Sequence, residues 1–402
     1  MPVIALIKER KSPPDKRVAL TPIQCREAMD RIKDLRIIVE SSNIRAFIDQ
    51  EYLDKGIEVL NDVSDAEILI GVKEVPMEAL IPNKTYLFFS HTIKAQPYNR
   101  ELLRTILKKN IRLIDHETLE YENGSRVLGF GRYAGIVGAF NAFRTWGIKN
   151  GTFDLKPAHL CSDRKEMEAE LAKLVLPENF RIVLTGSGRV AGGVIEILKL
   201  ANIENVPSEE FLTRAEGRVH TQLDVGDYNN IPPNGSKFNK KEFYSDPSGY
   251  SSGLLPYLKE ADIYISGHYW DPRSPILISA QDLENDTPRL KVVADISCDI
   301  AGPIACTIRP STIDDPIYGY HRHEHVECDS LDPDAIAVMA VDNLPCELPR
   351  DASEGFGAKL GEVVLPELVK ASSGLIDRST MTKAGKLSSG FEYLQDFVDR
   401  TE

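Results

Sequence analysis

Short apolar runs alternate along the chain with amphipathic stretches of helical period. Val3–Ile7, Arg36–Glu40, Glu67–Val72, Thr85–Ser90 and Arg112–Asp115 have the length and apolar content of strands. Between the last two, Gln96–Lys109 places Leu102, Leu103, Ile106 and Leu107 at helical spacing. Thr21-Pro22 supplies an N-cap followed by Pro at N1, so a helix opens there. This alternation predicts an α/β arrangement, a parallel sheet with covering helices, that ends near residue 125.

The same rhythm returns further on. Tyr133–Trp146 carries Ala134, Gly135, Gly138, Ala139 and Ala142, a helix that lets neighbours approach closely and is suited to bridging two domains. Residues 147–178 read as irregular and then helical. Ile182–Leu184 reads as a buried parallel strand, breaking into Gly186-x-Gly188 and a helix from Arg189 to Leu200, with another apolar segment at Ile203–Val206. A polar insertion (Gly226–Gly253), strands at Ala261–Ser266 and Lys291–Ile296, and tail helices at Ala352–Lys370 and Phe391–Val398 complete the pattern. The pattern is again strand alternating with helix.

The glycine turn has the context that a dinucleotide site requires, strand then turn then helix. Gly186 permits the tight turn, Gly188 lets backbone N–H groups approach an anion, and Ala191 or Gly192 is the small residue where helix crosses strand. Ser187, Arg189 and Val190 belong to the same cofactor-binding turn.

Composition and charge narrow the class. At 402 residues the chain is too long for one core, and 42% hydrophobic with 27% charged residues is ordinary for a globular protein. A formal charge of −13 argues against nucleic acid. No stretch has the apolar length of a membrane span, and no charged region precedes the first apolar run as in a secretory signal. Cys25, Cys161, Cys298, Cys306, Cys328 and Cys346 show no CxxC spacing, which predicts reduced thiols and a cytoplasmic location.

Ligands of such sheets bind at strand ends, so polar residues after apolar runs are informative. Lys73-Glu74, Ser90-His91-Thr92, Asp115-His116-Glu117 and Asp295-Ile-Ser-Cys-Asp299 stand in that position. With the basic loop 8–17 they describe a cleft suited to a polyanionic small substrate and to proton transfer near neutral pH.

These residues carry a resemblance. Lys8-Glu-Arg and Lys16-Arg-Val-Ala-Leu-Thr-Pro22 resemble the opening of the alanine dehydrogenase and transhydrogenase superfamily. Phe88-Phe-Ser-His-Thr-Ile-Lys-Ala-Gln96, Asn110–Asp115, Asp295–Asp299 and Asp342–Pro349 narrow it to the lysine–2-oxoglutarate reductase domain of aminoadipate semialdehyde synthases and to the lysine-forming saccharopine dehydrogenases. The resemblance implies two Rossmann-like domains, 1–130 and 131–342, a segment 343–402 returning to the first, and an active site in the interdomain cleft. It implies reversible reductive condensation of L-lysine with 2-oxoglutarate to saccharopine, without the second, glutamate-forming module. It places Lys73 and His91 in the acid–base work, and Glu74 and Glu117 as acids that tune them. Arg17, Lys94 and Arg126 hold substrate carboxylates. Lys8 and Asp299 join the substrate residues, while Asp295, Asp342 and Leu344 join the cofactor residues. The implied partners are these small molecules, with neither nucleic acid nor membrane, in a monomer or small homo-oligomer.

Two segments depart from the family pattern. The acid expected after the glycine turn falls at Glu209 within Val206-Pro-Ser-Glu209, which favours NAD while leaving NADP open. His321-Arg-His-Glu-His325 on a strand would put three imidazoles on one face, as zinc requires, but spacing ties no further ligand to them and the reaction needs no metal, so none is expected. An alanine dehydrogenase-like enzyme and a catalytically silent dinucleotide sensor are the alternatives; the retained Lys73 and His91 count against the second.

Overall fold

The computed structural model describes residues 3–214, 216–229 and 237–400. In chain order its first strands are β1 (Val3–Leu6), β2 (Arg36–Glu40), β3 (Glu58–Leu60), β4 (Ile68–Ile70), β5 (Thr85–Phe88) and β6 (Arg112–Asp115). There follow β7 (Phe180–Thr185), β8 (Glu204–Asn205), β9 (Arg218–Leu223), β10 (Ile263–Ser266), β11 (Val292–Asp295), β12 (Ile317–His321), β13 (Glu327–Cys328) and β14 (Ala335–Met339). β15 (Thr380–Lys383) and β16 (Lys386–Leu387) close the series. Contacts divide the chain into two units, Met1–Phe130 with Pro349–Glu402, and Gly131–Leu348.

The first unit holds one sheet in the order β16-β15-β6-β5-β4-β1-β2-β3. β1 to β6 pair in parallel, whereas β15 runs antiparallel to both β6 and β16, so the tail extends the sheet that the N-terminal part began. The first helix, α1 (Pro22–Arg31), starts where the sequence places it: the Thr21 hydroxyl accepts from the Gln24 amide, and Gln24 returns a carbonyl to the Thr21 amide. The predicted tail helix is regular over Pro349–Lys359 and then widens to a π-helical turn over Leu360–Val364. Phe356, Leu360, Val364 and Leu365 from this segment join Leu6, Ile37, Ile70 and Ile114 in one core.

The second unit is ordered β13-β12-β14-β11-β10-β7-β9-β8. Its strands are parallel except β12, antiparallel to β14 and β13. Neither sheet is therefore purely parallel as the sequence led one to expect; each carries an antiparallel hairpin at one edge. The small-residue helix, α2 (Gly131–Asn150), packs against the helix α3 (Arg189–Leu200) and on β11, inside the second unit rather than as a bridge. A Cβ on Gly135 would stand 1.9 Å from the Val190 carbonyl oxygen, and one on Gly193 would stand 2.0 Å from that of Arg132. The two helices thus touch backbone to backbone. The chain leaves this unit at Pro349, six residues later than the expected Asn343. Leu344 is buried 3.3 Å from a Cβ built on Gly138, and Glu347 accepts from the Asn141 amide group (2.8 Å), which holds the turn 344–347 on α2.

Candidate active site

Four strands of the first sheet end at one group of polar side chains. β4 ends at Ile70, and the chain turns through Gly71 and Val72 to Lys73 and Glu74. Glu9, just beyond β1, accepts from the Val72 amide (2.6 Å) and the Lys73 amide (2.9 Å). From the other side His116 Nε2 lies 2.9 Å from the Gly71 carbonyl oxygen. The His116 ring is wholly buried, edge-on to Phe89 at 5.0 Å and Phe356 at 5.2 Å. Burial pushes its pKa down to about 4, so near neutrality the ring is uncharged and Nε2 carries the hydrogen given to Gly71.

Asp115, at the end of β6, ties two further turns together. Its buried carboxyl accepts from the Ser90 amide (3.0 Å), the Ser90 hydroxyl and the Glu117 amide (2.8 Å), and burial raises its pKa to about 6. One side chain thereby fixes the turns that carry His91 and Glu117. His91 itself adopts a left-handed backbone (φ 56°), which a non-glycine residue occupies at some cost in strain. Its Nδ1 lies 3.1 Å from Glu117 Oε2 and its Nε2 3.7 Å from Glu74 Oε1, while the ring stacks on Phe89.

The charges around this pair oppose one another. Desolvation disfavours the Glu117 anion, but His91, Lys94 and Arg126 (3.5 Å) outweigh it and hold the carboxyl below its usual range. An anionic Glu117 accepts, so in the neutral imidazole Nδ1 bears the hydrogen and Nε2 is the lone-pair nitrogen. For Lys73, desolvation first, then the cations Arg17 and Lys11, lower the ammonium pKa, against Glu74 and Asp15, which raise it. Glu74 also meets Lys11 at 3.3 Å.

Arg17 is buried over the Phe130 ring, 4.1 Å from its centroid. Its Nε and Nη2 form a fork on Asp15 (3.0 and 2.6 Å), the geometry expected for a substrate carboxylate but here given to a side chain of the protein. Desolvation works against the Asp15 anion, yet Arg17 overrides it and brings the pKa down to about 2. Lys94 and Arg126 are exposed beside Glu117, whereas Lys8 belongs to a separate group, with Arg10, around Glu40.

The cofactor residues lie in the second unit. Gly186 has φ 104°, and a Cβ there would sit 2.5 Å from the Gly267 carbonyl oxygen, so only glycine makes this turn. Gly188 caps α3, and a Cβ on it would meet nothing within 4 Å, which leaves open space ahead of a twelve-residue helix N-terminus. Those two observations fit a dinucleotide pyrophosphate. Ser187 and Arg189 are exposed on this turn and Val190 is half-buried. Ala191 is wholly buried where helix meets strand, while Gly192 faces open space, so the small packing residue is Ala191.

The acid after the turn is displaced from its sequence-based position. Ile203–Val206 yields only the two-residue edge strand β8, which pairs with β9 and not with β7. The neighbour of β7 is β9, and its end is Asp224, whose carboxylate accepts the Ser187 hydroxyl (2.8 Å) and meets Lys240 Nζ at 3.0 Å. Glu209 sits instead on the exposed side of a short helix, Ser208–Thr213, following the edge strand. Sequence reading missed β9 because Arg218-Val-His-Thr-Gln-Leu223 mixes polar with apolar residues; the alternation Val219, Thr221, Leu223 before an acid was the available signal.

Asp295 is wholly buried and accepts from the Ser297 amide and hydroxyl (3.1 and 2.6 Å), the Cys298 amide (3.2 Å) and the Thr307 hydroxyl (2.8 Å). These bonds hold the loop after β11. Asp299 is half-buried in that loop, and Asp342 is exposed after β14. Of the three histidines, only His321 lies on a strand; His323 and His325 follow it in a turn and face Glu284 at 3.6 and 3.7 Å. His321 groups with Asp332 and Asp334, each offering an atom within 4.8 Å of the others, carboxylates that spacing alone did not tie to it. His321 Nδ1 accepts from the Glu324 amide (3.2 Å), so in the neutral ring the hydrogen is on Nε2.

No helix among the described residues is long and apolar enough to cross a membrane. Residues 5–137 match the family model for the alanine dehydrogenase/PNT N-terminal domain. Alpha-aminoadipic semialdehyde synthase of Arabidopsis thaliana is 29% identical over 98% of this chain, and the match covers 41% of that relative's length, so the chain spans less than half of it. Saccharopine dehydrogenase (NAD(+), L-lysine-forming) of Yarrowia lipolytica is 27% identical, with 92% of both chains covered. Among solved structures, L-alanine dehydrogenase superposes with a TM-score of 0.67 over 98% of this chain and 99% of its own, at 18% identity, which is a likeness of fold. The chain thus carries a match to the alanine dehydrogenase/PNT N-terminal domain over residues 5–137, and over nearly its whole length it is similar, at 27–29% identity, to saccharopine dehydrogenase and to part of aminoadipic semialdehyde synthase.

Proposed function

We propose that the chain is a nicotinamide-dependent oxidoreductase that joins the ε-amine of L-lysine to the keto carbon of 2-oxoglutarate and reduces the product to saccharopine, and that it catalyses the reverse reaction. The observation that carries this reading is the cluster Lys73, Glu74, His91 and Glu117 on three adjoining strand ends, with a lowered lysine pKa and an oriented imidazole. The names of the relatives, aminoadipic semialdehyde synthase and saccharopine dehydrogenase, support the substrate pair.

When bound at the glycine turn, the nicotinamide dinucleotide supplies or accepts the hydride. Lys73, whose ammonium is destabilised, takes the proton from the substrate amine so that nitrogen can attack carbon. His91, oriented through Nδ1 by Glu117, uses Nε2 to move protons as carbinolamine loses water to become imine. Arg126 and Lys94, exposed beside Glu117, attract the substrate carboxylates; Arg17, forked onto Asp15, contributes a buried positive charge near Lys73. For the cofactor, Asp224 is the acid placed to accept from the ribose of NAD and to repel a 2′-phosphate.

Initial rates with L-lysine, 2-oxoglutarate and either reduced nicotinamide test the reading, with pyruvate plus ammonia as the comparison. Lysine-dependent oxidation of NADH is the expected result. Activity confined to pyruvate and ammonia would overturn it in favour of an alanine dehydrogenase, and no turnover with either pair would overturn both.

A further inference from the structure

The backbone from Gly71 to Lys73 is gripped from both of its polar sides by residues that the reaction above does not use. His116 Nε2 takes the Gly71 carbonyl, and Glu9 spans the next two amides, one with each carboxylate oxygen. Space enforces the register: a Cβ on Gly71 would lie 3.1 Å from the Ile7 side chain and 3.3 Å from Glu9 Oε1. A carboxylate on two successive N–H groups is a charge-assisted, two-point contact, stronger and more directional than a neutral one.

We infer that Glu9 is a positioning residue for Lys73: its two-point hold on the Val72 and Lys73 amides, opposed by His116 on Gly71, sets where the Lys73 side chain starts and places a carboxylate beside it. The inference rests on the acid–base role proposed for Lys73. The charges of Asp15 and Arg17, from the loop after β1, act on Glu9; Lys73 and Glu74 from the loop after β4 border the same narrow space, as do Lys8 and Arg10, whose charges are directed to Glu40. Desolvation outweighs the two amides and Arg17 and lifts its carboxyl to about 7, so near neutrality Glu9 stands close to the point where its charge, and with it the two-point grip, changes.

Two variants test this together. Glu9→Gln keeps the shape, removes the charge and turns an –NH2 toward one of the two amides. Glu9→Asp keeps the charge but is one methylene too short to reach both. In Glu9→Gln, kcat should fall about tenfold or more, since displacement of a reacting group by an ångström costs up to ~100-fold. The KM for 2-oxoglutarate and the Kd for the dinucleotide should stay within about twofold of wild type, a split that general unfolding would not produce. The Lys73 pKa, followed by acetylation with acetic anhydride across pH and peptide mass spectrometry, should drop by about half a unit or more as the neighbouring anion is lost. In Glu9→Asp the Lys73 titration should remain near wild type while kcat falls by roughly three- to tenfold. Either variant alone decides the matter if the other fails to fold: wild-type kcat, or kcat and dinucleotide Kd worsening together, overturns the inference, as does an unchanged Lys73 titration in Glu9→Gln. Acetylation needs no turnover, so a wild-type chain inactive with lysine and 2-oxoglutarate removes the proposed reaction without removing this readout.

Discussion

His116→Gln separates a buried group's ionisation from its hydrogen bond. Glutamine keeps an N–H for the Gly71 carbonyl and fills much of the same volume between Phe89 and Phe356, but it does not titrate. In the folded chain the His116 pKa falls from 6.5 to about 4, because burial excludes the cation. Between these two values the unfolded chain binds a proton that the folded chain does not, so the group's contribution to stability rises with pH through that window and levels off above about 6.5. Each pKa unit corresponds to ~1.4 kcal/mol, and integrating from pH 5 to pH 7 gives about 2 kcal/mol of stability gained by wild type and absent from the variant. In a unit of this size that is a Tm difference changing by about 4–8 °C over the same interval. Thermal unfolding of both proteins at half-unit steps from pH 5 to 7 measures it, and taking the difference between the two cancels groups that they share. Glu9 is one of those: its raised pKa makes stability fall from about 4.5 to about 7, opposite in sign to His116, so the wild-type curve alone looks flat where the difference is steep. Parallel curves, with the Tm difference constant over this interval, would refute the assignment of His116 as a buried neutral imidazole.

Other variants address the proposed chemistry and the fold. Lys73→Met and His91→Gln should each lower turnover by roughly 10²–10⁴ and remove one limb of the pH–rate profile, with dinucleotide affinity little changed; near wild-type rates with saccharopine would contradict the site. Asp224→Ala should narrow the preference for NAD over NADP, whereas Glu209→Ala should leave it alone; the ratio of kcat/KM values for the two cofactors decides between them. Gly193→Ala puts a Cβ 2.0 Å from the Arg132 carbonyl oxygen, which forces α3 off α2 and should cost at least about 1–3 kcal/mol, read as a lower Tm together with weaker dinucleotide binding at the N-terminus of α3. Gly192→Ala, facing open space, is the control and should be neutral or slightly stabilising.

What the sequence by itself determined about this protein is what a short window encodes. The glycine turn after an apolar run, the Thr21 cap with Pro22 behind it, and the runs ending in Lys73-Glu74, Ser90-His91 and Asp115-His116-Glu117 each occupy about a dozen residues or fewer, and the structure places those strand ends together in one sheet. Strand order is different in kind, because pairing partners are chosen by burial over the whole sheet. Insertion of β9 between β7 and β8 moves the acid at the glycine turn from Glu209 to Asp224, and no local pattern around Glu209 reports that. Nor does spacing reveal that Arg17 is committed to Asp15, that Glu9 and His116 hold one loop from both sides, or that Gly135 and Gly193 are the points where two helices meet. Those depend on which faces are buried against each other. Only the tertiary structure decides that, since a carboxylate or an imidazole acquires its partners and its pKa from atoms brought near by folding rather than by the chain.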